Sequence, residues 1–189
     1  MNLTRAEAEE RASIITRVDS YAVTVDLTAD EKVFPVQAVI TFDAVEGQST
    51  FIDAITDSVR SIELNGESVD TSHADGVRIQ LPALAKKNVL KIDADFLYTN
   101  TGEGLHRFVD PVDGEVYLYS QFEVPDSRRV FPVFEQPDLK AEFEFTVKAP
   151  AHWEVISDQP EVSQDSLEGS KTWKFKPTPR ISSYITALI

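Results

Sequence analysis

From Val18 onward the apolar residues fall on every second position, and that rhythm decides the fold class before any motif is sought. Tyr21, Val23, Val25 and Leu27 alternate with Ala22, Thr24, Asp26 and Thr28. An extended chain puts the first set on one face and the second on the other. Residues 33–42 keep the same rhythm, with Val39, Thr41 and Phe42 as β formers. Residues 59–64 then run into Asn65-Gly66, the dipeptide that suits a two-residue hairpin. Further strands are expected at 76–81, 89–96, 116–122, 141–147, 153–156, 171–175 and 183–189. Polar turns separate them, and no spacing for a crossover helix stands between two strands. The fold class is therefore all-β, an antiparallel β-sandwich or saddle.

Only the start departs from this rhythm. Thr4 can cap a helix, and Glu7 stands three residues later at the capping-box spacing. Ala6, Ala8 and Ala12 favour a helix, and the β-branched pair Ile14-Ile15 ends it. One short leading helix within 1–16 thus precedes β-sheets over 18–189. With no internal repeat or low-complexity linker, 1–189 reads as a single domain. A chain of this length can build a core without disulfide or metal staples.

Cysteine is absent, so disulfides, thiolate metal sites and cysteine nucleophiles are excluded, and a reducing compartment fits. Lys plus Arg is 18 against 32 Asp plus Glu, a net charge of −14. Such a field repels phosphates and anionic headgroups, so no nucleic acid and no membrane partner is expected. No stretch approaches the roughly 20 apolar residues of a membrane helix. The first residues, with Glu7, Glu9 and Glu10, lack the basic start and apolar middle of a secretion signal. A cytoplasmic location is the expectation.

A self-contained catalytic site should show itself in the residue pattern. The three histidines, His73, His106 and His152, include no pair at the spacing that puts two zinc ligands on one helix face. Gly102-Glu103-Gly104 lacks the third glycine and the helix of a dinucleotide loop. Asp110-Pro-Val-Asp113-Gly114-Glu115 misses the alternation of a calcium loop and reads as a hairpin turn. Trp153 and Trp173 stand in separate strands and are expected in the core, which argues against a row of exposed rings for glycan binding.

One segment stands apart. It runs from Tyr117 through Gln121, Glu123, Arg128, Arg129, Phe131, Pro132, Phe134, Glu135, Gln136 and Pro137 to Lys140 and Ala141. A strand would deliver Gln121 and Glu123 on one face, two residues apart, as a half-buried amide and carboxylate. The same pair also suits the wet face of an edge strand.

This segment resembles the signature of the N-terminal domain of the aminopeptidase N family of zinc metallopeptidases. That signature runs Gln-x-Glu, a few residues, Ala-Arg-Arg, Phe-Pro-Cys-x-Asp-Glu-Pro, two residues, Lys-Ala. Gln121, Glu123, Arg128, Arg129, Phe131, Pro132, Phe134, Pro137, Lys140 and Ala141 match it in register. Ser127 stands at the usual alanine, Val133 at the usual cysteine, and Glu135-Gln136 where Asp-Glu is common. Residues 98–119 resemble the bacterial branch, and 178–189 resemble the strand that leads into a catalytic domain.

The resemblance implies a parent protein that is a zinc aminopeptidase, a hydrolase removing amino-terminal residues from peptides. The family's Gly-x-Met-x-Asn loop and His-Glu-x-x-His zinc helix are not in this sequence. By analogy both belong to a catalytic domain beyond Ile189, with which this domain would pack. Zinc is then the parent's cofactor, and none is expected on 1–189, which would be inactive alone. The peptide's free amino terminus is the implied partner, bound by Glu123 as acceptor and Gln121 as pocket wall; no catalytic or metal residue falls in this chain. Ile185, Leu188 and Ile189 are expected to lie exposed where the catalytic domain would dock. The competing expectation is a non-catalytic β-sandwich used for binding or scaffolding. A coding sequence that continues into the two missing motifs would separate the two.

Overall fold

A computed structural model describes residues 2–189. The leading helix, α1 (Arg5–Ile14), begins with the capping box. The Glu7 amide donates to Thr4 Oγ1 at 3.3 Å, and the Thr4 amide donates to Glu7 Oε2 at 2.8 Å. Its only buried residues are Arg11 and Ile14. The helix passes straight into β1 (Ile15–Asp26), where the β-branched pair takes over.

Most of the strands form one large sheet. Antiparallel pairing joins β1 to β2 (Val33–Ala44), β2 to β7 (Lys87–Leu97), β7 to β4 (Ser58–Leu64), and β4 to β5 (Glu67–Val69). The β4–β5 hairpin turns on Asn65 and Gly66, with φ of 57° and 89°, the mirror-image turn that matches the twist of the flanking strands. On the other side β1 runs parallel to β10 (Glu142–Pro150), a pairing the alternation did not announce. β10 then pairs antiparallel with β12 (Ser170–Phe175), and β12 with β11 (Glu161–Leu167). Two small two-stranded sheets lie apart: β3 (Thr50–Asp53) with β6 (Arg78–Leu81), and β8 (Gly104–Val109) with β9 (Val116–Gln121). The fold is mainly β with one short helix, as the sequence implied.

Two expected strands are not formed. Residues 153–156 carry no ladder, and 183–189 begin with a single 3-10 turn, Ser183–Ile185. The two segments meet instead at one bridge, Ser157 with Leu188, flanked by reciprocal Ile156–Ile189 amide bonds of 2.8 and 3.0 Å. Trp153, Val155 and Leu188 pack inward, whereas Ile156, Ile185 and Ile189 stay exposed. Besides β5, which the hairpin signal only implied, three strands went unread. β11 is exposed along its whole length and carries no alternation, β8 opens on a glycine, and β3 is four residues long.

The large sheet buries one face. Tyr21, Phe34, Phe42, Phe96, Phe143 and Phe145 line it, all at most 1% exposed. What covers it is the proline-punctuated stretch after β9. The Phe131 ring stands edge-on to Tyr21, Phe122, Phe143 and Phe145 at 6.4, 5.9, 6.1 and 5.7 Å, and Phe134 meets Phe42 at 5.2 Å. Each such ring contributes about 1.5–3 kcal/mol relative to an exposed one. Trp173 is buried at 1%, and Trp153 packs half-buried against the same core. No helix among the described residues is long and apolar enough to cross a membrane.

Candidate functional site

The β8–β9 hairpin carries Gln121 and leads into the turn that holds Glu123, the two candidate residues. Its register places Phe108 opposite Tyr117, His106 opposite Tyr119 and Gly104 opposite Gln121. Alternation sends Tyr117, Tyr119 and Gln121 outward, while Val116, Leu118 and Ser120 face inward and are half-buried. The His106 ring stacks on Tyr119 with centroids 4.7 Å apart, and its Nδ1 accepts from the Gly102 amide at 3.0 Å. The inner side is braced by the last residues: the Ser120 amide donates to the Leu188 carbonyl at 2.9 Å, and the Leu188 amide to Ser120 Oγ at 2.8 Å.

The ladder stops at Gln121, one position short of the expected end, so Glu123 sits in a turn and not in the strand. Phe122 between them points into the core, where it meets Phe131. Gln121 and Glu123 therefore both face outward. The expectation of a half-buried pair is corrected: both are exposed, because no element of residues 2–189 lies over them. Among the described residues neither side chain makes a hydrogen bond or ion pair.

The other polar residues of the segment are used internally. Arg128 Nε donates to the Pro125 carbonyl at 2.8 Å, after a cis Val124–Pro125 bond, and Nη2 donates to Asn2 Oδ1 at 3.0 Å. Arg129 Nε donates to Asp126 Oδ1 at 2.7 Å, and Nη2 pairs with Glu103 Oε2 at 3.1 Å. Glu135 is buried at 4%. One of its oxygens accepts from Ser127 Oγ and from the Arg128 amide at 2.8 Å, and the other from Ser183 Oγ at 2.8 Å. Burial pushes its carboxyl above the usual range, against the pull of these three donors. Gln136 accepts from Arg11 Nε at 3.2 Å and donates to the Ala8 carbonyl at 3.2 Å. Arg11 Nη1 reaches Asp53 Oδ2 at 2.5 Å, and both side chains are at most 1% exposed. Lys140 is exposed and its side chain is free, but a cation accepts nothing.

Ser127, Ser183, Arg11 and Asp53 went unread as partners because nothing local marks them; they meet only in the fold. Of the expected docking residues, Ile185 and Ile189 are 50% and 58% exposed, whereas Leu188 is 3% exposed, buried against the hairpin. A cleft of about 300 Å³ lies on the inner side of the hairpin among Leu27, Leu118, Val147, Trp153, Val155 and Leu188. Gln121 and Glu123 do not line it; Glu115, His152 and Glu154 stand among its otherwise largely apolar walls.

Among the described residues no three His, Cys, Asp or Glu side chains come together as metal donors.

The chain belongs to the Peptidase M1 N-terminal domain family, whose model matches residues 17–185. It is 53% identical over 193 aligned residues to Aminopeptidase N of Streptomyces lividans, covering 100% of this chain and 22% of that protein. It is 34% identical over 124 residues to Aminopeptidase N of Acetobacter pasteurianus, covering 61% of this chain and 34% of the relative. Aminopeptidase N of Lactococcus lactis is 26% identical over 176 residues, covering 89% of this chain and 21% of the relative. The chain thus spans between a fifth and about a third of the length of these relatives.

Proposed function

We propose that residues 1–189 are the part of a zinc aminopeptidase that recognises the free amino terminus of a peptide substrate. One observation carries this. Arg128, Arg129, Glu135 and Gln136 are bound within the fold, while Gln121 and Glu123 point outward with no side-chain partner among the described residues. Glu123 is the acceptor of that pair. A peptide's α-amine has a pKa of about 7.7–8.0 and is mostly a cation at neutral pH. A charge-assisted hydrogen bond from it to Glu123, made in a site closed by a neighbouring domain, contributes about 1.5–3 kcal/mol. Gln121 offers both a donor and an acceptor and suits the wall beside the first residue. An anchored amine limits how far along the peptide the enzyme can reach, so one residue is released at a time. The catalytic domain and its zinc belong to a part of the parent outside 1–189, and the exposed Ile185 and Ile189 suit its docking. The chain alone is then inactive.

The test is Glu123→Gln in the full-length parent, which keeps the shape and removes the charge. The lost interaction converts to a fall in kcat/KM of about ten- to a hundredfold for free-amine substrates. Substrates with a blocked amino terminus bring no cation and are unaffected. An unchanged kcat/KM for free-amine substrates would reduce Glu123 to an ordinary exposed carboxylate.

A further inference from the structure

We infer that Arg129 is a positioning residue for this anchor: it sets where Glu123 stands relative to Gln121. The inference rests on the reading just given. The β8–β9 ladder ends at the Gly104–Gln121 pair, so inter-strand hydrogen bonds hold Gln121 but not Glu123. Arg129 spans the gap. Its Nε donates to Asp126, within the turn that carries Glu123, at 2.7 Å. Its Nη2 pairs with Glu103, the neighbour of Gly104, at 3.1 Å. Its stem lies on Gly104 itself, so close that a Cβ there would stand 2.8 Å from Arg129 Cβ. A single side chain thus touches the cross-strand partner of Gln121 and the turn of Glu123.

The guanidinium is suited to this because its planar fork offers donors along different edges, and two carboxylates can be gripped at once; an ammonium is a point charge. Arg128 also holds this turn, at the Pro125 carbonyl, and reaches from there to Asn2. Both grips of Arg129 stay within this chain. It acts through Glu123.

A double-mutant cycle in the full-length parent tests this, with Arg129→Met, Glu123→Gln and both together. Arg129→Met keeps the stem on Gly104 and drops both grips. Loss of positioning at an anchor costs about tenfold or more in kcat/KM for free-amine substrates. In the Glu123→Gln background the same change should add less than about twofold, because the group it positions is already gone. A role confined to stability would lower the melting temperature and reduce activity equally in both backgrounds. Asp126→Asn leaves Arg129 in place and loosens the turn, so it should repeat the pattern more mildly; it also carries the comparison if Arg129→Met does not fold. Additive losses, or unchanged kcat/KM in Arg129→Met, overturn the proposal alone. A Glu123→Gln enzyme with full activity removes the underlying reading as well.

Discussion

Replacing Glu135 separates what a buried carboxylate does by its shape from what it does by its charge. Three donors converge on it: Ser127 Oγ, the Arg128 amide and Ser183 Oγ. Glu135→Ala would leave these buried groups unpaired, at about 1–3 kcal/mol each. Partial relaxation and water entry reduce the sum, and a loss of about 3–5 kcal/mol is expected. Glu135→Gln is different. Its amide oxygen can take the Ser127 and Arg128 donors, and its NH2 can donate to Ser183, whose hydroxyl turns to accept. That variant should stay within about 1 kcal/mol of the parent sequence at neutral pH.

The pH dependence has a definite sign. The native carboxyl is raised by burial, so the folded chain binds a proton more readily than the unfolded one. Stability from this group is then greatest below the ordinary carboxylate range and falls as pH rises through the raised native value. Urea unfolding of the 189-residue chain at several pH values, with the slope of free energy against urea checked for constancy, measures both effects. Glu135→Gln should flatten the profile in that window. If Glu135→Gln destabilises as much as Glu135→Ala, the charge itself is indispensable and the packing account of this site is wrong.

Two further outcomes are expected. Gly104→Ala should destabilise by about 1–3 kcal/mol more than Gly114→Ala in thermal melts: both sit at positive φ, 64° and 75°, but only at Gly104 does a Cβ strike Arg129. Arg78, hydrogen-bonded to Glu7, holds that carboxyl down at about 2, with the Thr4 amide and hydroxyl assisting; this support is complete above the ordinary glutamate range and is lost as pH falls towards 2. Glu7→Gln should therefore abolish one acid-sensitive step in the far-ultraviolet helix signal and leave the β signal alone.

Much of this fold was legible from two local signals. Period-two alternation located β1, β2, β7 and β10, and Asn65-Gly66 took the left-handed angles such a turn needs. β11 could not be read because an edge strand exposed on both faces has no apolar side to betray it. Residues 183–189 misled for the opposite reason: their apolar side chains look like a buried strand but serve a turn and a single bridge. At the site, Gln121 and Glu123 were visible through a motif. Their neighbours' roles were not, since Arg11 meets Asp53 and Gln136 across 42 and 125 residues, and Glu135 meets Asp53 across 82. Contacts so distant along the chain leave no local pattern.

The parallel pairing of β1 with β10 has a consequence for the order in which the chain can assemble. Ser20 faces Glu142, so that edge of β1 waits for a partner 122 residues further along. Closing so long a loop carries an entropy cost that must be met before the pairing returns anything, which favours slow folding. On a ribosome, β2 emerges early and can cover one edge of β1 by a simple hairpin. The other edge, with the backbone groups of Tyr21, Val23 and Val25, stays open until β10 has left the exit tunnel. During synthesis the middle of the finished sheet is therefore its most exposed border, and an invitation to any other extended chain nearby.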